Sequence, residues 1–161
     1  MSTEEKQVLM RADSVKVHFK IKNKKNTVVK AVDGVSFEIM KGETFGVVGE
    51  SGCGKSTLGR TLVRLLTPTE GKIYLEDTEI SSLKGNDLKN MRKNAQIIFQ
   101  DPSASLNPRR TVKEVLMEPF EIHGVLEVVD VEERITELLH LVGLDTYHLS
   151  SYPHEFSGGQ K

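Results

Sequence analysis

The sequence predicts an α/β fold, and three neighbouring segments carry that prediction. Residues 44–48 form a short apolar run that is typical of a strand buried on both faces. A glycine-rich loop follows directly, and from Lys55 to Leu66 apolar residues recur at helical spacing until Thr67-Pro68-Thr69 ends the run. A strand that leads through a glycine loop into a helix is a recurring unit of α/β proteins.

Length and composition indicate an ordinary globular chain. Its 161 residues are enough for one domain with a buried core, and 37% of them are hydrophobic. The formal net charge of -1 gives no general attraction to nucleic acid or acidic lipid. Cys53 is the single cysteine, so no internal disulfide points to an oxidising compartment. We expect neither a secretory signal nor a membrane span, so work at a membrane would require a partner.

The N-terminal part predicts a β-rich layer. Apolar and polar residues alternate from Val15 to Phe19, which is the period of a half-buried strand. The polar run at 22–26 predicts a turn. Val28–Val32 and Val35–Ile39 then predict two further strands around Asp33-Gly34.

The remaining elements change from mixed to helical along the chain. Gly71–Leu75 predicts a strand, Asn86–Lys93 a short helix, and Ala95–Phe99 a second buried strand. From Thr111 onward the periodicity predicts amphipathic helices, and Gly143 predicts the C-terminal cap of the last one.

The glycine loop fits the phosphate-binding pattern G-x-x-x-x-G-K-[ST] between a predicted strand and a predicted helix. Its glycines let backbone N–H groups point at phosphates, and the helix N-terminus adds its positive dipole end. Lys55 would reach the β- and γ-phosphates and support catalysis, Ser56 would ligate Mg²⁺, and Thr57 would lie near the α-phosphate. The predicted ATP-binding residues are Gly49, Glu50, Ser51, Gly52, Cys53, Gly54, Lys55, Ser56 and Thr57.

Two further features are weak when each is taken alone. Gln100 ends a predicted strand, where an amide can ligate Mg²⁺ or orient water, although a solvated glutamine is the simpler interpretation. The segment Phe156-Ser157-Gly158-Gly159-Gln160 is either a flexible turn or the N-cap of a helix.

In combination, these features resemble the ATP-binding subunits of ABC transporters. The order is glycine loop, strand-end glutamine, helical insertion and Ser-Gly-Gly-Gln. The resemblance implies the N-terminal portion of a P-loop NTPase fold of the ABC ATPase type. Such a portion comprises an antiparallel β layer, an incomplete parallel core sheet and the start of an α-helical subdomain. It implies one incomplete domain over 1–161, with the β layer and nucleotide-binding core in 1–100 and the helical subdomain in 101–161.

The resemblance also assigns roles to residues. Gly49 to Thr57 matches the Walker A loop, and Gln100 matches the Q-loop glutamine that positions Mg²⁺ and water. Phe19 stands where the family stacks a ring on adenine; His18 is the adjacent candidate, and core packing is the alternative for Phe19. The signature that contacts the ATP of a partner subunit would comprise Ser157, Gly158, Gly159 and Gln160.

Two stretches narrow the resemblance to the oligopeptide, dipeptide and nickel importer branch: QDPSASLNPR at 100–109 and Tyr152-Pro153-His154-Glu155. This branch implies ATP hydrolysis coupled to solute uptake at the cytoplasmic face of the cell membrane. The implied partners are a second ABC ATPase subunit, membrane-spanning permease subunits and, through the permease, an extracytoplasmic solute-binding protein, but no nucleic acid. Leu106 and Phe120 lie where the family docks its membrane subunits, with ordinary packing as the alternative for both.

The chain stops at Lys161, just after the signature. The family's Walker B aspartate, catalytic glutamate and switch histidine are therefore expected outside it, and we expect a marginally stable piece that binds ATP without hydrolysing it. Two other functions stay open. One is a soluble ABC ATPase acting on nucleic acid or ribosomes, for which the basic cluster from Lys20 to Lys30 is more simply a solvated hairpin. The other is a nucleotide-binding fragment without activity of its own.

Overall fold

The computed structural model describes residues 7–21, 27–101, 105–125 and 130–161. The predicted polar turn at 22–26 and residues 102–104 of the QDPSASLNPR stretch lie outside this range. The chain divides into two compact units, Met1–Ile97 and Ile98–Lys161. Whether the two units form a single ABC ATPase domain stays a prediction.

The first unit contains a four-stranded sheet in the order β2-β1-β3-β4, and every pairing among its described strands is antiparallel. The predicted antiparallel β layer is therefore confirmed. The strands are β1 (Val8–Lys20), β2 (Val28–Met40), β3 (Glu70–Leu75) and β4 (Thr78–Glu79). The predicted alternation buries Val15 and Val17 on the core face of β1.

β2 is one continuous strand, so the prediction of two strands around Asp33-Gly34 is wrong. Lys16 pairs with Asp33 and Val15 with Val35, which leaves Gly34 as an extra residue with φ of 79°. Such a bulge needs a residue that tolerates positive φ, and it bends the ladder without ending it. The glycine therefore marks an irregularity within a strand.

Two helices complete the first unit, α1 (Lys55–Leu62) and α2 (Gly85–Asn94). α2 confirms the helix predicted from Asn86 to Lys93. α1 ends before the predicted Leu66, because Arg64 adopts a left-handed conformation with φ of 57°.

The core of the first unit lies between the sheet and these helices. Each aliphatic side chain buried there contributes on the order of 1.5–3 kcal/mol. Its buried members are Ala12, Val15, Val17, Val32, Leu58, Leu62, Ile73, Ile80 and Met91. The sheet, α1 and α2 all supply residues to this core, which fixes α1 and the glycine loop that precedes it.

Residues 44–48 and 95–99 are not strands in the described part of the chain, so the strand predictions for these two segments are wrong. A parallel strand buried on both faces needs hydrogen-bonded neighbours and covering layers. No described strand pairs with either segment. Val48 is 92% exposed and Ile98 is 97% exposed. Within residues 44–48, the ring of Phe45 stacks on that of Phe37 at a centroid distance of 5.0 Å.

The second unit contains helices α3 (Val112–His123) and α4 (Val131–Leu141), as predicted, followed by two short 3₁₀ helices, Thr146–Ser150 and Pro153–Glu155. Thr111 caps α3 in a capping box with Glu114. The Thr111 backbone N–H donates to the Glu114 carboxylate at 2.7 Å, and bonds from Thr111 hold the pKa of that carboxyl below its usual value.

The end of α4 confirms the predicted glycine cap. Gly143 has φ of 74°, and its N–H donates to the His140 carbonyl at 3.0 Å. The N–H of Leu144 donates to the Leu139 carbonyl at 2.9 Å, which completes a Schellman motif. Within the described part of the chain, none of the helices has the length and hydropathy that crossing a bilayer requires.

Candidate nucleotide-binding site

The glycine loop is seated on β2 through a close backbone contact. Gly54 is the N-cap of α1 and has φ of 99°, a conformation that strains any other residue. A Cβ at Gly54 would collide with the backbone carbonyl oxygen of Ala31. Glycine at this position therefore satisfies both the turn into α1 and the packing of the loop on the sheet.

Lys55 lies across the inside of this loop. Its Nζ donates to the carbonyl oxygens of Gly49 at 2.7 Å and Glu50 at 2.6 Å, and lies 3.7 Å from the Cys53 sulfur. Both close acceptors are neutral, so the ammonium charge is not cancelled by either of them. The loop thus holds a cation at its centre, as a phosphate site requires.

The first turn of α1 adds the second element of an anion site. Within the described residues, no side chain caps this helix and its first turn contains no acidic residue. The N–H groups at the helix N-terminus therefore remain available to a ligand. Ser56 is exposed, and its hydroxyl forms no hydrogen bond to another described residue. Thr57 is half-buried, and its carbonyl accepts a bond from the Thr61 hydroxyl at 2.6 Å.

A cavity of about 330 Å³ lies between β2 and the loop. Its lining comprises Lys30, Ala31, Val32, Asp33, Val35, Val47, Val48, Cys53, Gly54, Lys55 and Leu58. Two lysines thus face one space beside the proposed phosphate site. Among the described residues, Phe19 is not part of this lining.

Phe19 and His18 differ in their surroundings at the end of β1. The Phe19 side chain is 43% exposed, so core packing does not hold it. His18 Nε2 lies 2.8 Å from Asp33 Oδ1. The Lys30 ammonium donates to Asp33 Oδ2 at 3.0 Å, and these bonds, first from Lys30 and then from His18, keep the pKa of Asp33 below its usual value. The His18 ring is therefore held by its bond to Asp33, whereas the exposed Phe19 ring is accessible for stacking on a ligand.

The other predicted site residues lie in the second unit. Gln100 is exposed. The signature forms a helical turn, in which the backbone N–H of Lys161 donates to the Ser157 carbonyl at 3.2 Å. The Gln160 side-chain oxygen accepts bonds from the Ser157 N–H and hydroxyl, each at 3.0 Å. Of the two bonds of a capping box, the described residues show one, the bond from the Ser157 N–H to the Gln160 side chain.

The two predicted docking residues, Leu106 and Phe120, are partly packed within the second unit. Phe120 contacts the cluster of Val131, Ile135 and Leu139. Leu106 lines an apolar cavity of about 310 Å³. The contacts of Phe120 therefore favour ordinary packing over a docking role for this residue.

Sequence reasoning missed Ala31 and Asp33. Ala31 contacts the loop through its backbone carbonyl, so no side-chain pattern reveals it. The sequence pattern places Asp33 at a break between strands, whereas its ion pairs with His18 and Lys30 depend on the β1–β2 register.

Comparison with known proteins decides the family. The ABC transporter family model matches residues 32–161. The chain belongs to the ABC transporter family. Within this family, it is 48% identical over 166 residues to the oligopeptide transport ATP-binding protein AppF of Bacillus subtilis, covering 100% of this chain and 50% of that protein. It is 48% identical over 135 residues to the dipeptide transport ATP-binding protein DppF of Lactococcus lactis, covering 82% and 43%.

Solved structures support the same fold. This ABC transporter chain matches a dimeric ATP-binding cassette, in a post-hydrolysis state bound to ADP and Pi, with 26% identity and a TM-score of 0.75. The match covers 94% of this chain and 64% of that one. The α/β fold of an ABC ATPase is thereby confirmed, and the chain spans about half the length of the curated relatives it matches.

Proposed function

We propose that this chain is the ATP-binding part of an ABC importer subunit that couples ATP binding and hydrolysis to the uptake of peptides, or of a related small solute such as nickel. The observation that carries the proposal is the Lys55 ammonium held inside the Gly49–Gly54 turn at the N-terminus of α1. The peptide branch is supported by the transport proteins of Bacillus subtilis and Lactococcus lactis that the chain resembles.

The residues of the loop fit a nucleoside triphosphate. Its donors are backbone N–H groups and one ammonium, which match the oxygens of phosphates. A Cβ at Gly49 would come within 2.7 Å of the Cys53 sulfur, so the inside of the turn has no room for further side chains. In this proposal Lys55 binds the β- and γ-phosphates, while Glu50, Ser51 and Gly52 supply backbone N–H groups that donate to phosphate oxygens.

The Ser56 hydroxyl, which bonds no other residue in the described part of the chain, fits Mg²⁺, which prefers oxygen ligands and neutralises phosphate charge when bound. Gln100 would supply a second oxygen and orient water, and Phe19 would stack on adenine. Thr57 would lie next to the α-phosphate.

The signature turn would act on a second subunit. Ser157 and Gln160 are already ordered against each other, and Gly158 and Gly159 leave their backbone open to an incoming phosphate. We therefore propose that the turn contacts the ATP held by a partner ABC ATPase subunit. Permease subunits would hold the pair at the cytoplasmic face of the membrane and connect it to an extracytoplasmic solute-binding protein.

Titration with a fluorescent ATP analogue, with and without Mg²⁺, tests the nucleotide site. Lys55→Met should weaken binding by about ten- to a hundredfold, since it removes a charge-assisted contact to phosphate. Lys41→Met is the matched control, because Lys41 is exposed on the turn after β2. Equal affinity in both variants, or no binding by the unmodified chain, would contradict the proposal.

Gene disruption tests the transport role. Loss of the gene that encodes this chain should abolish uptake of a labelled oligopeptide by cells. The chain should also be recovered with membrane-spanning subunits after affinity capture. Unchanged uptake, together with recovery of nucleic acid or ribosomes, would instead support a soluble ABC ATPase.

A further inference from the structure

Arg64, just beyond α1, is a buried arginine without an assigned role. Only 5% of it is exposed. Its Nε donates to the Ile80 carbonyl at 2.8 Å, and its two terminal nitrogens donate to the carbonyls of Leu83 at 3.1 Å and Leu66 at 3.4 Å. The guanidinium therefore joins the end of α1 to the segment between β4 and α2.

The backbone at Arg64 is also unusual. The N–H of Arg64 donates to the Thr61 carbonyl at 3.0 Å, and the N–H of Leu65 donates to the Arg60 carbonyl at 2.8 Å. This is the Schellman pattern, in which the residue with positive φ is normally glycine. An arginine with φ of 57° carries a strain of about 1–2 kcal/mol. The anchored side chain compensates for that strain.

Besides the backbone strain, the buried charge of the Arg64 guanidinium is itself unfavourable. Burial lowers the pKa of Arg64, and the nearby Arg92 guanidinium lowers it further. Arg92 lies close because it donates to the Arg64 carbonyl at 3.0 Å. Arg64 thus combines backbone strain, desolvation and a like-charged neighbour, and a simple helix end needs none of these.

We propose that Arg64 is a positioning residue for the phosphate loop, which fixes α1 from its C-terminal end so that Gly54 and Lys55 stay in place at its N-terminal end. The inference rests on the proposed nucleotide-binding function. It adds a residue outside the loop on which phosphate binding depends.

The length of α1 explains why fixing one end controls the other. Eight residues span about 12 Å, and an isolated helix this short is marginal in water. The residues that α1 buries are Leu58, Thr61 and Leu62. The Ala31 contact seats the first end, and the Arg64 guanidinium anchors the other.

Two substitutions at Arg64 separate the side chain from the backbone. Arg64→Gly keeps the Schellman motif and relieves its strain but deletes the guanidinium, whereas Arg64→Lys keeps a charge without the planar fork. Arg60→Gln is the control, since it removes an exposed cation from the same helix. Affinity for a fluorescent ATP analogue should fall about tenfold in both Arg64 variants, equivalent to about 1.4 kcal/mol, and less than about twofold in the control.

Amide hydrogen exchange provides a readout that needs no nucleotide. The N–H of Leu58 closes the first turn of α1 on the Gly54 carbonyl at 2.8 Å. In Arg64→Gly it should exchange about tenfold faster, while the amide of Val17 in the central strand β1 stays unchanged. A merely structural role would leave the ATP affinity of the folded protein unchanged and would speed exchange of both amides.

Wild-type affinity together with wild-type Leu58 exchange in Arg64→Gly would overturn the inference. If that variant does not fold, Arg64→Lys tests the same anchor, because it keeps a cation at this position and loses the planar fork that reaches the Ile80 and Leu83 carbonyls. Its Leu58 exchange should rise about threefold, and an unchanged rate would equally overturn the inference. If the unmodified chain binds no ATP, the proposed function is wrong, but the exchange rates still test whether Arg64 holds α1 in place.

Discussion

Replacement of Gly54 by alanine tests how the glycine loop is seated on the sheet. A Cβ at this position meets two separate penalties, the positive φ of 99° and collision with the Ala31 carbonyl oxygen. Gly52 provides a comparison, because its φ is 82° but a Cβ there meets nothing within 4 Å. Gly59, inside α1, has neither positive φ nor a close neighbour.

The three substitutions should therefore change the free energy of unfolding by different amounts and, for Gly59→Ala, in the opposite direction. Gly52→Ala should cost about 1–2 kcal/mol of unfolding free energy, which is the strain of a left-handed alanine. Gly54→Ala should add about 1–3 kcal/mol, because backbone atoms of β2 must move to accept the new methyl group. Gly59→Ala should stabilise the chain by up to about 1 kcal/mol, since alanine is the better helix former.

Urea unfolding followed by circular dichroism measures these differences, and ATP titration of the folded variants shows their effect on the site. Gly54→Ala should also weaken ATP binding, because the displaced residue lies next to Lys55. The reasoning is refuted if Gly54→Ala is no more destabilising than Gly52→Ala, since the contact with Ala31 would then not seat the loop.

Other predictions concern the surroundings of the loop. A bulky maleimide on Cys53 should weaken ATP binding at least about tenfold, and Cys53→Ser should bind ATP and resist the reagent; unchanged affinity of the adduct would contradict the loop geometry. Phe19→Ala should weaken ATP binding by about five- to thirtyfold, whereas His18→Gln should leave it unchanged; the opposite result would assign stacking to His18. Because the pKa of Asp33 is lowered by folding, its stabilising contribution is present above the ordinary aspartate value and lost as pH falls through the folded value. The urea midpoints of wild type and Asp33→Asn should therefore differ at pH 7 and converge once the pH falls below the folded pKa of Asp33, and a constant difference would contradict the ion pairs.

The sequence predicts those elements whose formation depends on local contacts. The helices from residue 112 onward, the Gly143 cap and α2 follow from periodicity and capping within a few residues. The glycine loop at the start of α1 follows from a motif whose glycines and lysine have separate physical requirements. Here local preference and tertiary structure agree.

The failures occur where the outcome depends on distant partners. Residues 44–48 have the composition of a buried strand, but composition cannot supply the neighbours that such a strand needs. Gly34 shows the opposite error, in which a break is predicted inside a continuous strand. Because β1 pairs with β2 on both sides of Gly34, this glycine forms a bulge and not a turn. The left-handed Arg64 has no sequence signal, since its conformation depends on carbonyls sixteen and nineteen residues away.

These failures show which parts of the molecule hold the glycine loop in place. The segment before the loop is exposed at Val48, so it does not supply the rigidity that Lys55 needs. That rigidity comes instead from β2, through Ala31 under Gly54, and from the Arg64 anchor beyond α1. The β1–β2 pair also carries Phe19, the proposed adenine contact. The antiparallel layer therefore sets the relative positions of the proposed phosphate and adenine contacts, and a change in its register would move both.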